Sequence, residues 1–159
     1  MTVQARDVVA QVVDPELPML TLEDLGVLRD VDVDDDTVVV TLTPTYSGCP
    51  ALATMRADVL VALRRAGYER AEVRTTLSPA WSSDWISPRG RAALAVHGIS
   101  PPRPNDGPVD LILMPSRPPL CPQCGSADTH EVSHFGTTAC RSLHTCRACG
   151  ETFDHVKEI

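Results

Sequence analysis

Six cysteines carry most of the reactive chemistry available to this 159-residue chain. Four of them repeat one pattern, Cys121-Pro122-Gln123-Cys124-Gly125 and Cys146-Arg147-Ala148-Cys149-Gly150. Each knuckle offers two sulfurs from one tight turn, and its glycine supplies the left-handed backbone the turn needs. Four thiolates at this spacing close a tetrahedral site with no open position, which suits one structural zinc ion per chain. Iron, as a rubredoxin-like centre or a cluster, is the alternative occupant. So short and loop-rich a segment needs help to fold, and there metal-binding free energy becomes folding free energy.

Cys49 stands apart, in Thr43-Pro44-Thr45-Tyr46-Ser47-Gly48-Cys49-Pro50-Ala51. A β-rich stretch ends before it and an amphipathic helical pattern begins after it. Proline is favoured at a first helical position, so Cys49 is expected at or next to the N-cap. Unpaired N–H groups and the helix dipole there favour a thiolate, hence a nucleophile or metal ligand. The plainer reading is a small packed thiol, because cysteine is among the most buried residue types. Cys140 is left over as a secondary thiol, a spare ligand or a packed residue, and spacing favours packing. His130 and His134 lie four apart in a stretch that reads as strand and loop, where that spacing does not align them.

The rest of the chain must position these groups. Thr2 can cap a first helix with Val8, Val9, Val12 and Val13 on one face, stopping near Asp14 because Pro15 disfavours helix in the residue before it. Asp14-Pro15-Glu16-Leu17-Pro18 is then a rigid connector carrying two carboxylates, and Thr21 to Gly26 reads as one capped turn. Val27–Val33 and Val38–Thr43 alternate like strands around a solvated Asp34-Asp35-Asp36 turn. Leu52, Met55, Val59 and Leu63 mark the core face of a helix from Pro50 to Gly67, and Val73–Leu77 is a third strand. Ser87-Pro88 starts another helix that Gly98 stops. Trp81 and Trp85, just before it, either cover the sheet or form a partner-docking surface. Ser100 to Pro119 is proline-rich, with a short strand expected at Val109–Met114. The fold class is α+β: a two-layer domain with helices on one face of a small mixed sheet over 1–99, a linker over 100–119, and a β-rich zinc ribbon over 120–159.

Composition bounds the partners. A net charge of -7 argues against nucleic acid despite the knuckles. No apolar run reaches the ~20 residues of a membrane span. Met1 to Asp7 does not read as a signal peptide, and six cysteines in that context suggest metal or redox chemistry in the cytoplasm.

With these residues laid out, the chain resembles the PaaD family of phenylacetate-degradation proteins almost end to end. The resemblance rests on Asp14-Pro15-Glu16-Leu17-Pro18, Asp24-Leu25-Gly26, the Thr43–Ala51 segment, Pro79-Ala80-Trp81 with Asp84-Trp85, Gly98-Ile99-Ser100-Pro101-Pro102, the two knuckles, Phe135-Gly136 through Cys140, and Phe153-Asp154. Its first two thirds resemble SufT-like iron–sulfur assembly factors, including the eukaryotic cytosolic targeting factors. The resemblance implies a non-enzymatic accessory that matures a multicomponent phenylacetyl-CoA epoxidase. It would help the iron–sulfur reductase or the di-iron component acquire iron or a cluster held transiently on this chain. It also implies that Cys49 is the reactive cysteine, with Asp14 and Glu16 brought near it. The iron–sulfur assembly machinery and a second copy of the chain are the other implied partners. Members often carry a further cysteine after the Phe-Asp pair; here Val156-Lys157-Glu158-Ile159 stands in that region, so Cys140 is expected to act alone or not at all. Two other functions compete: a docking or scaffold component of the epoxidase without metal transfer, and a thiol enzyme. The last lacks a positioned base, since the only nearby histidine, His97, falls at a helix end.

Overall fold

The computed structural model describes residues 2–105 and 117–159; the strand expected at Val109–Met114 lies outside them. Packing divides the chain into two compact units, Met1–Gly90 and Arg91–Ile159.

In the first unit, helix α1 (Thr2–Val9) precedes strands β1 (Leu28–Asp34) and β2 (Thr37–Leu42). Helix α2 (Leu52–Arg65) and strand β3 (Ala71–Thr75) follow. β1 and β2 form an antiparallel hairpin whose turn residues Asp35 and Asp36 both have positive φ, 42° and 68°. That backbone matches the twist of the flanking strands, and Asp is one of the few residues that tolerates it. β2 then pairs parallel with β3, a connection that needs a crossover, and α2 provides it. Val38, Val40 and Leu42 alternate inward on β2, and Met55, Val59 and Leu63 are the buried face of α2. The two-layer α+β arrangement is the one the periodicities predict.

α1 is shorter than expected. It ends at Val9, and Val12 and Val13 leave the helix to run beside residues 20–22: Val13 bridges Thr21, the Leu22 N–H donates to the Val12 carbonyl at 2.8 Å, and the Asp14 N–H to the Leu20 carbonyl at 2.9 Å. β-Branched residues favour that extended pairing over a last helical turn.

A one-turn 3₁₀ helix (Ser83–Trp85) leads into α3 (Pro88–Val96), within which the first unit gives way to the second. Ser87 caps α3 as expected, its Oγ accepting the Gly90 N–H at 2.9 Å. The second unit is an antiparallel sheet of β4 (Thr129–Ser133), β5 (Arg141–Cys146) and β6 (Thr152–Val156) in that order. Ser100, which composition placed in a linker, is paired within this unit: its N–H donates to Asp154 and its carbonyl accepts from Val156.

Candidate functional site

The knuckles meet. Sγ of Cys121 lies 3.7 Å from Sγ of Cys149, and Sγ of Cys124 lies 3.6 Å from Sγ of Cys146. Four sulfurs held at about 2.3 Å from one metal ion sit about 3.8 Å apart, so the cage fits such an ion. The two knuckles are built alike. The Gly125 N–H donates to the Cys121 carbonyl at 2.8 Å and the Gly150 N–H to the Cys146 carbonyl at 2.9 Å, both glycines having positive φ. Cys146 is lowered to about 7, chiefly by the Cys149 N–H, whereas Cys149 is pushed up to about 12. The Glu151 N–H works to lower Cys149, but burial and the neighbouring thiols outweigh it. Thiols this crowded ionise together only around a cation. Beneath them lies a buried cluster of Cys121, Cys146 and Phe153, a small core that leaves much of the fold to the metal site.

Cys49 occupies a different setting. α2 begins at Leu52 with Ala51 as its N-cap, so Cys49 stands two residues before the cap rather than beside it, and Pro50 precedes the helix. The reason is a preliminary turn: the Cys49 N–H donates to Tyr46 at 3.3 Å, and the Cys49 carbonyl accepts the Leu52 N–H at 3.2 Å. The thiol is buried, 7% exposed, in a loop where no side chain caps the helix. Thr43, at the head of the same loop, keeps a buried hydroxyl with no hydrogen-bond partner among the described residues. Sequence patterns hold no signal for that atom.

Asp14, Glu16 and Cys49 do not form a compact ligand set of the kind the ribbon cysteines form. Among the described residues, the four ribbon cysteines are the only set of three or more Cys, His, Asp or Glu whose ligand atoms lie within 4.8 Å of one another. Asp14 locks its own connector. Its Oδ1 accepts the backbone N–H groups of Glu16 at 2.8 Å and Leu17 at 2.7 Å, and the residue is 3% exposed. Glu16 is half-buried beside it.

Nor is the tryptophan pair a docking surface as a whole. Trp81 is buried, and its Nε1–H donates to the Leu25 carbonyl at 2.9 Å, which makes it a core residue. Trp85 is half-buried, with the Arg29 guanidinium 3.6 Å above its ring. What fixes this segment is Asp24, to which the sequence pattern assigns no role. Its carboxylate accepts from Arg89 Nη2 at 2.6 Å, Arg89 Nε at 3.1 Å, Ser87 Oγ at 2.6 Å and Thr21 Oγ1 at 3.0 Å. Burial works to raise the Asp24 carboxyl, but the bonds from Arg89, Ser87 and Thr21 outweigh it and hold it below the usual range. Gly26, at φ 76°, lies so close to Trp85 that an added Cβ would stand 2.5 Å from the Trp85 Cβ. The Asp24-Leu25-Gly26 and Trp81…Trp85 motifs are therefore two halves of one clamp.

Cys140 is buried in a hydrogen-bonded turn, its Sγ 3.1 Å from Thr138 Oγ1, which also accepts from Arg141 Nε. Arg141 is in turn paired with Asp154 at 3.2 Å. His134 pairs with Glu131 at 3.6 Å, and neither it nor His130 joins the cysteine cage. His144 and His155, which the sequence does not single out, are buried side by side with rings 5.5 Å apart. Burial, aided by repulsion from His155, lowers His144.

Residues 3–75 match the family described as iron-sulfur cluster assembly protein, and residues 108–157 match the PaaD zinc beta ribbon domain. The crystal structure of a domain of unknown function, DUF59, from Bacillus anthracis aligns with a TM-score of 0.55 and 28% identity, covering 60% of this chain and 92% of that one. The Fe-S protein maturation auxiliary factor YitW of Bacillus subtilis (strain 168) is 35% identical over 88 residues, 54% of this chain and 85% of the relative. Fold, cage and matches together define an iron–sulfur-assembly-type domain joined to a cysteine ribbon. The relation to one protein runs further. An Escherichia coli (strain K12) protein assigned as a component of 1,2-phenylacetyl-CoA epoxidase is 40% identical over 152 residues, 94% of this chain and 88% of the relative. This chain belongs to the PaaD family of phenylacetate-degradation proteins.

Proposed function

We propose that this protein is an accessory maturation factor for a phenylacetyl-CoA epoxidase. It assists insertion of iron or an iron–sulfur cluster into a client, the reductase or the di-iron component. The observation that carries this reading is the pairing, in one chain, of an assembly-type domain with a PaaD-type ribbon. The four-cysteine cage then holds one structural zinc ion, and Cys49 is the thiol that handles the cargo. Asp14 and Glu16 are the acidic residues that share the cargo with Cys49; Asp14 Oδ1 also holds the connector by two backbone bonds, and a further ligand comes from the client or from Cys49 of a second copy. A cargo bound by few ligands of its own carrier is released readily, which suits transfer. The docking-scaffold alternative loses Trp81, which is core, and keeps Trp85 and the ribbon. No described helix is long and apolar enough to cross a membrane, and we assign the protein to the cytoplasm with its client and the assembly machinery.

Anaerobic reconstitution with ferrous iron and sulfide tests the reading. Wild type and Cys140→Ser are expected to gain the same charge-transfer absorbance and iron content, and Cys49→Ser to gain neither. All three should retain one zinc per chain. Equal iron uptake by Cys49→Ser would contradict the assignment.

A further inference from the structure

A cavity of about 390 Å³ opens on the ribbon unit, away from the cysteine cage in composition and chemistry. Its lining includes Ser142, Thr129, His144 and His155, all four polar and between 2% and 8% exposed. Thr129 Oγ1 donates to the Pro119 carbonyl, and Ser142 Oγ lies 2.9 Å from His144 Nε2. Nδ1 of His144 is buried with no partner among the described residues. A small ribbon gains nothing from gathering buried polar groups around a hollow, because each is costly unless something bonds to it.

The charges around the cavity are unequally satisfied. Glu158, at its edge, receives the Arg103 N–H at 3.0 Å and faces His155 Nε2 at 3.3 Å. Burial would raise its carboxyl, yet the His155 and Arg103 bonds lower it to about 2. Glu131 is paired with His134 at 3.6 Å. Both lining carboxylates are thus occupied by histidines. Arg117 and Lys157, the two lining side chains with fixed positive charge, have no carboxylate partner among the described residues. The Lys157 ammonium donates to the Ala139 carbonyl at 3.0 Å and lies 4.5 Å from the Phe135 ring centre, so its charge is not neutralised and two of its three N–H groups remain for a ligand. A metal ion is disfavoured here, since no three imidazole or carboxylate ligand atoms lie within 4.8 Å of one another and two cations stand by.

We propose that this cavity binds a small phosphate monoester. Arg117 and Lys157 come from distant points in the sequence and supply two charges for a dianion. The Ser142–His144 pair supplies one further donor: with the Ser142 hydroxyl donating to His144 Nε2, the Nδ1–H, unpartnered among the described residues, is free for a phosphoryl oxygen. The volume lies at the low end of the range of about 300–1,000 Å³ for small-ligand sites, enough for the phosphate and a short organic group. The inference stands on the ribbon alone and does not rest on Cys49.

The full-length, zinc-loaded protein is to be titrated with inorganic phosphate and with glycerol phosphate while its amide spectrum is followed, with succinate as the carboxylate control. Saturable shifts at Thr129, Ser142, His144 and Lys157 are expected with both phosphates. Affinity should fall about tenfold in the Arg117→Gln/Lys157→Gln double variant, the scale expected for lost charge-assisted bonds. The zinc count and the remaining resonances should be unchanged. Non-saturating shifts with both phosphates, equal affinity for succinate, or undiminished binding by the double variant would each overturn the proposal.

Discussion

The two cysteine regions of this chain solve opposite problems. In the ribbon, four sulfurs are already at contact distance around a place for one ion, and the buried cluster there is Cys121, Cys146 and Phe153. In the assembly-type domain, Cys49 sits in a loop beside a helix start, and the unit is held by an aliphatic core and by the Asp24 clamp. On the proposed function, the contrast separates metal as scaffold from metal as cargo: a site that keeps its metal is complete within one chain, and a site that passes it on takes part of its ligand set from a partner.

The largest effect expected from breaking this contrast is in the ribbon. Removal of the metal with a chelator, or Cys146→Ala, should abolish the dispersed amide signals of residues 129–156, since structural zinc is worth on the order of 10 kcal/mol to such folds. The first unit should keep its signals. Simultaneous loss of both would show that the units are not separately stabilised.

Next comes Gly26→Ala. It places a Cβ at positive φ and 2.5 Å from the Trp85 Cβ, and is expected to cost about 3 kcal/mol in urea unfolding. Tryptophan fluorescence is the readout, because both tryptophans lie in the first unit, and the ribbon's zinc content should not change.

Asp24→Asn should cost about 2 kcal/mol at neutral pH, since it weakens charge-assisted bonds to a buried carboxylate. Its pH dependence has a definite sign. The folded-state carboxyl is held below its ordinary value near 3.8, so its stabilising contribution is complete above that value and is lost as pH falls through the folded-state pKa. The gap between wild type and variant should therefore be constant near neutrality and narrow below about pH 4. A gap that widened on acidification would contradict the clamp.

Much of this was legible from local pattern. The knuckle spacing fixed the cage, Val38 to Leu42 and Met55 to Leu63 declared their buried faces, and Ser87 announced its helix. What was not legible depends on contacts between distant residues. Val12 and Val13 continue a helical stripe, yet they pair with residues 20–22. Trp81 reads by default as a residue that covers the sheet, with a docking surface as the alternative, and the Leu25 carbonyl, which accepts its indole N–H, decides for the core. Asp14 and Glu16 follow the assembly-family pattern, and an aspartate before proline is also a turn lock, a role that Asp14 Oδ1 fills. His144 and His155 carry no spacing signal, because a β5–β6 pairing brings them together.

The smallest thermodynamic effect belongs to Cys49→Ser. A near-isosteric change at this small buried side chain should cost about 1 kcal/mol or less. That makes the variant a clean probe of the central claim, that Cys49 handles cargo while the ribbon cysteines hold the fold. The decisive measurement is the cluster and iron occupancy of the epoxidase components isolated from cells whose only copy of this protein is Cys49→Ser. The account predicts client components depleted of iron, alongside a folded variant with one zinc per chain. Fully loaded, active epoxidase in those cells would contradict it.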